Sequence, residues 1–184
     1  MRHQWNDMNI FYLDPDVQKC AEMHNDKHCV KMILEYAQLL STGVSASGRK
    51  KTVYVLTDDR DTVLYSATHV NHPSAVWVRQ SDKNYDWLFA LFQALMTEYT
   101  YRYGKVHACS KLEMHLARIP NNMPWAPFTE PTPAMPDDVK VLKEIYTDRY
   151  VLDSLASYRN YYIQNKTHLA NWKNREVPEW FITK

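Results

Sequence analysis

The sequence predicts a mainly α fold, one compact helical domain spanning residues 1–184 with a short β-hairpin, and three observations carry that reading. Only three of 184 residues are glycine, while six Trp and thirteen Tyr supply large packing groups. Two long stretches, from Asp14 to Thr42 and from Ser81 to Gly104, repeat apolar residues at spacings of three and four. Hydrophobic residues make up 45% of the chain, enough for one real core, with no internal repeat or low-complexity tract.

The elements follow in chain order. Residues 1–13 form an N-terminal anchor, in which the apolar run Asn9–Leu13 is a strand or an extended segment laid on the core. A long helix then runs from Asp14 to Thr42: Asp14 accepts the first-turn N–H groups, Pro15 fits the first helical position and Gly43 closes the pattern. The runs TVYVL and TVLYSA, joined by the polar TDDRD, read as the hairpin. A helix opens at Asn71 or His72 before Pro73, and Ser81 caps the next, which stops at Gly104. There Tyr85, Leu88, Phe89, Phe92, Leu95, Met96 and Tyr99 make a core-facing stripe. Another helix covers Val106 to Ile119 and ends at Pro120. The six prolines of 120–136 forbid a helix or central strand, so this is a loop within the domain that buries Trp125, Phe128 and Met135. The inserted segment Val139–Leu152 carries no clear period. Ser154 caps a last helix running to Lys173, and the aromatic tail docks back on the body.

Composition narrows the function classes. Twenty-two basic against twenty-one acidic residues leave almost no net field, so a polyanion partner has to be met by a local basic face. Three cysteines, Cys20, Cys29 and Cys109, match no zinc spacing, and no stretch resembles a signal peptide or an 18-residue apolar span. A cytoplasmic protein with no membrane partner is the simplest reading.

Chemistry concentrates on the first long helix. At about 100° per residue, Cys20, His24, Lys27, His28, Lys31, Glu35, Gln38 and Thr42 share one face, opposite Cys29, Val30, Ile33, Tyr36, Ala37 and Leu40. Two His, two Lys, a Glu and a Gln aligned in this way differ from the mixed charges of an ordinary solvated face. His24 and His28, at i and i+4, have the spacing of a metal-binding pair, which makes a His-based metal hydrolase one alternative, although Asn25 stands where a catalytic Glu would follow the first His. Glu35, two turns beyond His28, is placed either as a general base or as the partner of Lys31.

The segment DKHCVKMILE, with Asp26-x-His28 and then Glu35, resembles the catalytic helix of the phage endonuclease V-type pyrimidine-dimer DNA glycosylases. HVNHPSAVWVRQ is similar to the Asn-His-Pro motif and following Arg of bacterial relatives, and the helix ending Tyr-Arg-Tyr-Gly resembles theirs ending in Arg-Gly-Tyr or Arg-Gly-Phe. Tyr158–Tyr162 and Trp172–Arg175 are loosely similar to their Trp-x-Lys-Tyr-Tyr tail. The chain also resembles phage-encoded proteins with NIFYLD, DKH, NHP and PxAMPD blocks.

The resemblance implies a mainly α fold and action on pyrimidine bases in DNA. Glu35 is then catalytic with His28 beside it, and His24, Lys27, Lys31, His72, Arg79, Trp172 and Lys173 serve substrate and DNA binding, with no metal or cofactor assigned. Trp77, Tyr85, Trp125 and Trp172 are candidate surfaces on which an extruded base stacks. Asp26 reads as a structural hydrogen-bonding group at a junction. In that family a free N-terminal amine attacks C1′. Here MRHQWND precedes Met8, and Met followed by Arg is not a context for removal of Met1, which leaves the lyase step without its nucleophile. Two further alternatives are a transferase modifying hypermodified thymines in phage DNA and a non-catalytic DNA- or protein-binding phage factor.

Overall fold

The computed structural model describes residues 8–44, 60, 63–120 and 123–182. Asn9–Leu13 enters as a segment outside any helix or strand, with no ladder partner among the described residues, and Ile10 and Leu13 are fully buried. Helix α1, Val17–Met23, is capped by Asp16, which accepts the N–H of Lys19 at 2.9 Å, while Asp14 accepts the N–H of Asp16 one step earlier. The cap therefore lies two residues beyond the expected Asp14.

The expected single helix is broken. At His24 the backbone is extended (φ −61°, ψ 129°), and α2, Asp26–Val44, starts afresh. Tertiary hydrogen bonds hold the break. The guanidinium of Arg102 takes the last carbonyls of α1, donating from Nη1 to His24 O and from Nη2 to Glu22 O, both at 2.9 Å. Asn25 Oδ1 accepts the N–H of His28 at 2.9 Å, which re-caps the chain, and the N–H of Asp26 donates to Asn171 O at 2.8 Å. The break removes Cys20 and His24 from the face shared by Lys27, Lys31 and Glu35. Within α2 itself Val30 and Leu34 are about 40% exposed, where the 100° wheel puts Val30 in the core. Gly43 does not close the helix, which is still helical at Val44.

Helix α3, Pro73–Val78, begins as expected: His72 Nδ1 accepts the N–H of Ser74 at 3.1 Å, and Pro73 has no N–H to lose. Helix α4, Asp82–Tyr103, also matches, with Ser81 Oγ accepting the N–H of Asn84 at 3.0 Å and Gly104 at φ 64° ending it. Its stripe faces α2, with Tyr85, Leu88, Phe92, Leu95 and Met96 buried and Phe89 and Tyr99 half-buried against them. The expected helix over 106–119 is shorter, a 3₁₀ turn at Ala108–Leu112 followed by α5 at Glu113–Leu116.

Among the described residues the hairpin lies outside the expected 52–67 region. Most of the 52–67 region is outside the described residues, and 63–67 holds no strand. The inserted segment forms it instead: β1, Val141–Tyr146, pairs antiparallel with β2, Arg149–Asp153, with Leu142 opposite Leu152 and an irregularity between Glu144 and Tyr146. Alternation is a weak guide here because Leu142, Tyr146, Tyr150 and Leu152 face solvent, so no buried stripe marks the strands. Asp153, one residue before the expected Ser154, caps α6, Ser154–Asn165. The helix stops there and gives way to a 3₁₀ turn at Thr167–Leu169 instead of running to Lys173, and α7, Glu179–Ile182, docks Trp180 and Phe181 on the core. In the proline-rich loop Met135 is buried as expected, whereas Phe128 lies against Trp77 and Trp87 but keeps 37% of its surface exposed, and Trp125 is 87% exposed.

Candidate active site

Glu35 lies on the third turn of α2, with its side chain 7% exposed and Oε1 3.2 Å from Lys31 Nζ. It lines a cleft of about 250 Å³ with Met8, Lys31, Gln38, Thr68 and His69. One wall is α2; the other is the strap leading into α3, fastened to the helix by Thr42. Thr42 Oγ1 accepts the N–H of Thr68 at 3.2 Å and donates to its carbonyl at 3.3 Å. This clamp holds His69 in the left-handed region, φ 48°, an uncommon conformation for a residue with a Cβ. His69 Nδ1 is 2.8 Å from Thr68 Oγ1. In the chain Thr68 and His69 are marked only as a polar segment ahead of the Asn-His-Pro block, with His69 one of five residues (Glu35, His69, His72, His107, His115) that could complete a metal set with His24 and His28.

His28 does not line the cleft. Its ring is 5% exposed, stacked on Phe11 at 4.2 Å, and its Nδ1 lies 2.6 Å from Tyr162 Oη. His24 is built in the same way. Tyr36 Oη accepts the N–H of Phe11 at 3.1 Å and donates to His24 Nε2 at 2.8 Å, while His24 Nδ1 donates to Cys20 O at 2.7 Å. Burial favours the neutral imidazole in both rings. Burial pushes His24 down to about 4 and His28 to about 2, His28 further depressed by His24, Lys166, Lys31 and Lys27. The two rings are therefore interior ties joining α1, α2 and α6, on separate helices and with His24's two nitrogens both engaged. They do not form an i,i+4 pair facing one ion, and among the described residues no three His, Cys, Asp or Glu side chains gather as a metal site.

The remaining candidates divide between interior and surface. Lys27 and Lys173 are exposed, the latter with Nζ 5.2 Å from the Tyr103 ring. Arg79 is buried and donates from Nη1 to Ala75 O at 2.7 Å, and His72 is buried at its cap. Trp172 is 5% exposed and donates from its indole N–H to Met23 O at 2.8 Å, with Phe181 against its face. Trp77 and Tyr85 are likewise core. Trp125 alone of the four stacking candidates faces solvent, and its mount is firm: the N–H of Asp82 donates to Pro124 O and the N–H of Ala126 to Asp82 Oδ1. Asp26 is the junction group that the sequence suggests, accepting from Arg102 Nη1 at 3.0 Å and from the N–H of Lys173 at 2.8 Å.

With this geometry in place, the chain was compared with known proteins. The family model described as pyrimidine dimer DNA glycosylase matches residues 8–111, more than half of the chain. No curated protein and no solved structure matches it. The matched span begins at Met8, on the wall of the cleft, and contains α1, α2, α3 and α4. Among the described residues, no helix is long and apolar enough to cross a membrane.

Proposed function

The chain belongs to the pyrimidine dimer DNA glycosylase family, and from that premise we propose that it excises a pyrimidine base from DNA, with Glu35 as its catalytic carboxylate. The observation that carries the reading is a carboxylate withdrawn from bulk water yet opening on a cleft of about 250 Å³, with Lys31 3.2 Å away as its counter-charge. A carboxylate so placed can take the proton of a water attacking C1′ of the sugar and face the positive charge that develops there. The C1′–N bond breaks as the C1′–O bond forms, and the electron pair leaves with the base. Lys27 and Lys31 contact phosphate, which fixes the strand over the cleft. His28, removed from the cleft, is a positioning residue: it ties α2 to α6 and so sets the height of Glu35.

The test uses duplex oligonucleotides carrying a single ultraviolet-induced pyrimidine dimer, with abasic sites revealed by alkali. The expected result is an alkali-labile abasic site at the dimer with the wild type, the cleaved pyrimidine staying joined to its neighbour through the dimer ring, no such site with Glu35→Gln, and no covalent adduct on borohydride trapping. A trapped adduct would show an amine nucleophile and overturn the water mechanism. Binding without formation of any alkali-labile site would overturn the glycosylase reading, and an altered pyrimidine still attached to its sugar would replace it with base modification.

A further inference from the structure

Two lysines of α2 and one at the end of α6 face one seam. Lys27 and Lys31 stand one turn apart on α2, about 6 Å along its axis, Lys27 exposed and the Lys31 side chain 44% exposed. Lys166 follows the last residue of α6, one turn beyond Tyr162. The bond from Tyr162 to His28 pins α6 against the turn of α2 that lies between the two other lysines. Phe11 stacks on His28 at 4.2 Å and lies nearly parallel to Tyr161 at 6.3 Å, and the Lys166 ammonium sits 4.9 Å from the Tyr161 ring. A column of flat side chains thus leads from the buried imidazole to the third ammonium. All three ammonium groups depress the His28 imidazole, as charges do at short range. The carboxylates at the seam are engaged, Glu35 with Lys31 and Asp26 with Arg102.

We infer that the seam between α2 and the end of α6 is a track for the phosphates of a DNA strand, on which Lys166 adds a contact across from Lys27 and Lys31. The inference rests on the proposed action on DNA and extends it, since Lys166 lies beyond the residues that the family model matches. A strand laid along the track keeps its backbone on the lysines while a nucleotide turns toward the Glu35 cleft beside Lys31. Because each neutralised phosphate releases counterions, every lysine on the track contributes about 0.9 to the slope of log binding constant against log salt.

Anisotropy titrations of a short labelled duplex between about 50 and 200 mM salt read this slope without knowledge of the target base. Lys166→Gln, which keeps much of the side chain over Tyr161, is expected to lower the slope by about 0.9. Lys166→Arg is expected to keep it, and so is Lys143→Gln, whose lysine pairs with Glu130 on the hairpin. An unchanged slope in Lys166→Gln, with wild-type DNA binding intact, overturns the track. Absence of salt-dependent binding by the wild type overturns the DNA-acting reading itself, and thermal melting of each variant separates both results from loss of the fold.

Discussion

Glu98 on α4 and Glu35 on α2 each have a cation one helical turn away on their own helix, and the rest of the molecule treats them in opposite ways. Glu98 is 1% exposed and saturated: Arg102 Nε donates to it at 2.7 Å, and Arg175 grips it with Nε and Nη2 at 3.0 and 2.9 Å. Burial pushes its carboxyl up, but the hydrogen bonds from Arg175 and Arg102 outweigh that and hold it below the usual range. Glu35 is nearly as withdrawn, but a half-exposed lysine stands beside it and a cleft opens in front. A planar guanidinium satisfies several acceptors at once and fixes them; a lysine ammonium is a single mobile charge. The first arrangement holds a helix junction together, and the second leaves a carboxylate able to meet a substrate.

The contrast can be broken or sharpened by substitution. The largest effect is expected from Arg102→Ala, which takes one donor from each of Glu98 and Asp26 and removes the guanidinium from the carbonyls of Glu22 and His24. Denaturant unfolding should register a loss of about 3–5 kcal/mol, and Arg102→Lys should recover little of it because an ammonium cannot match the fork. Glu35→Gln should instead lower base release by about 100-fold or more while unfolding shifts by less than about 1 kcal/mol. If Glu35→Gln unfolded as readily as Arg102→Ala, the two carboxylates would be alike and the contrast would be lost.

A third expectation concerns acid. The folded chain keeps His24 and His28 neutral, at about 4 and about 2, whereas the unfolded chain takes up these protons near 6.5. Stability from this source is therefore full above pH 6.5 and falls as pH drops through 6.5 toward 4, by about 1.4 kcal/mol per pH unit for each imidazole. Tyr36→Phe and Tyr162→Phe break the two bond chains separately, so a flat stability profile from pH 7 to 5 in the wild type would mean that the rings are not held neutral. The smallest effect is expected at His69. Glycine adopts φ 48° without strain, so His69→Gly should leave the melting free energy within about 1 kcal/mol of wild type, and any larger fall in base release would then belong to the cleft rather than to the fold.

Much of this was legible in the chain. The caps at His72 and Ser81, the stop at Gly104 and the α4 stripe follow from local backbone chemistry, because a hydroxyl or imidazole beside an N–H, or a residue without a Cβ, acts within three or four residues. Glu35 stood out for its place on a helix and for the DKH block before it. What stayed hidden depends on groups far apart in sequence. The break at His24 needs Arg102, which is 78 residues away, and the burial of His28 needs Tyr162, which is 134 residues away. No helical period records either partner, so one polar face was read where there are two helices and an interior.

The sequence by itself determined that this is a helical chain of one family, with a carboxylate on α2 as its chemical candidate. The tertiary structure alone decided which polar residues are structure and which are surface. Hydrogen bonds between distant elements turned His24, His28 and Asp26 inward and set Lys166 beside Lys27 and Lys31. The physical reason is that burial of a polar group is acceptable only where a partner meets it, and partners are assigned by the fold, not by neighbours in the chain.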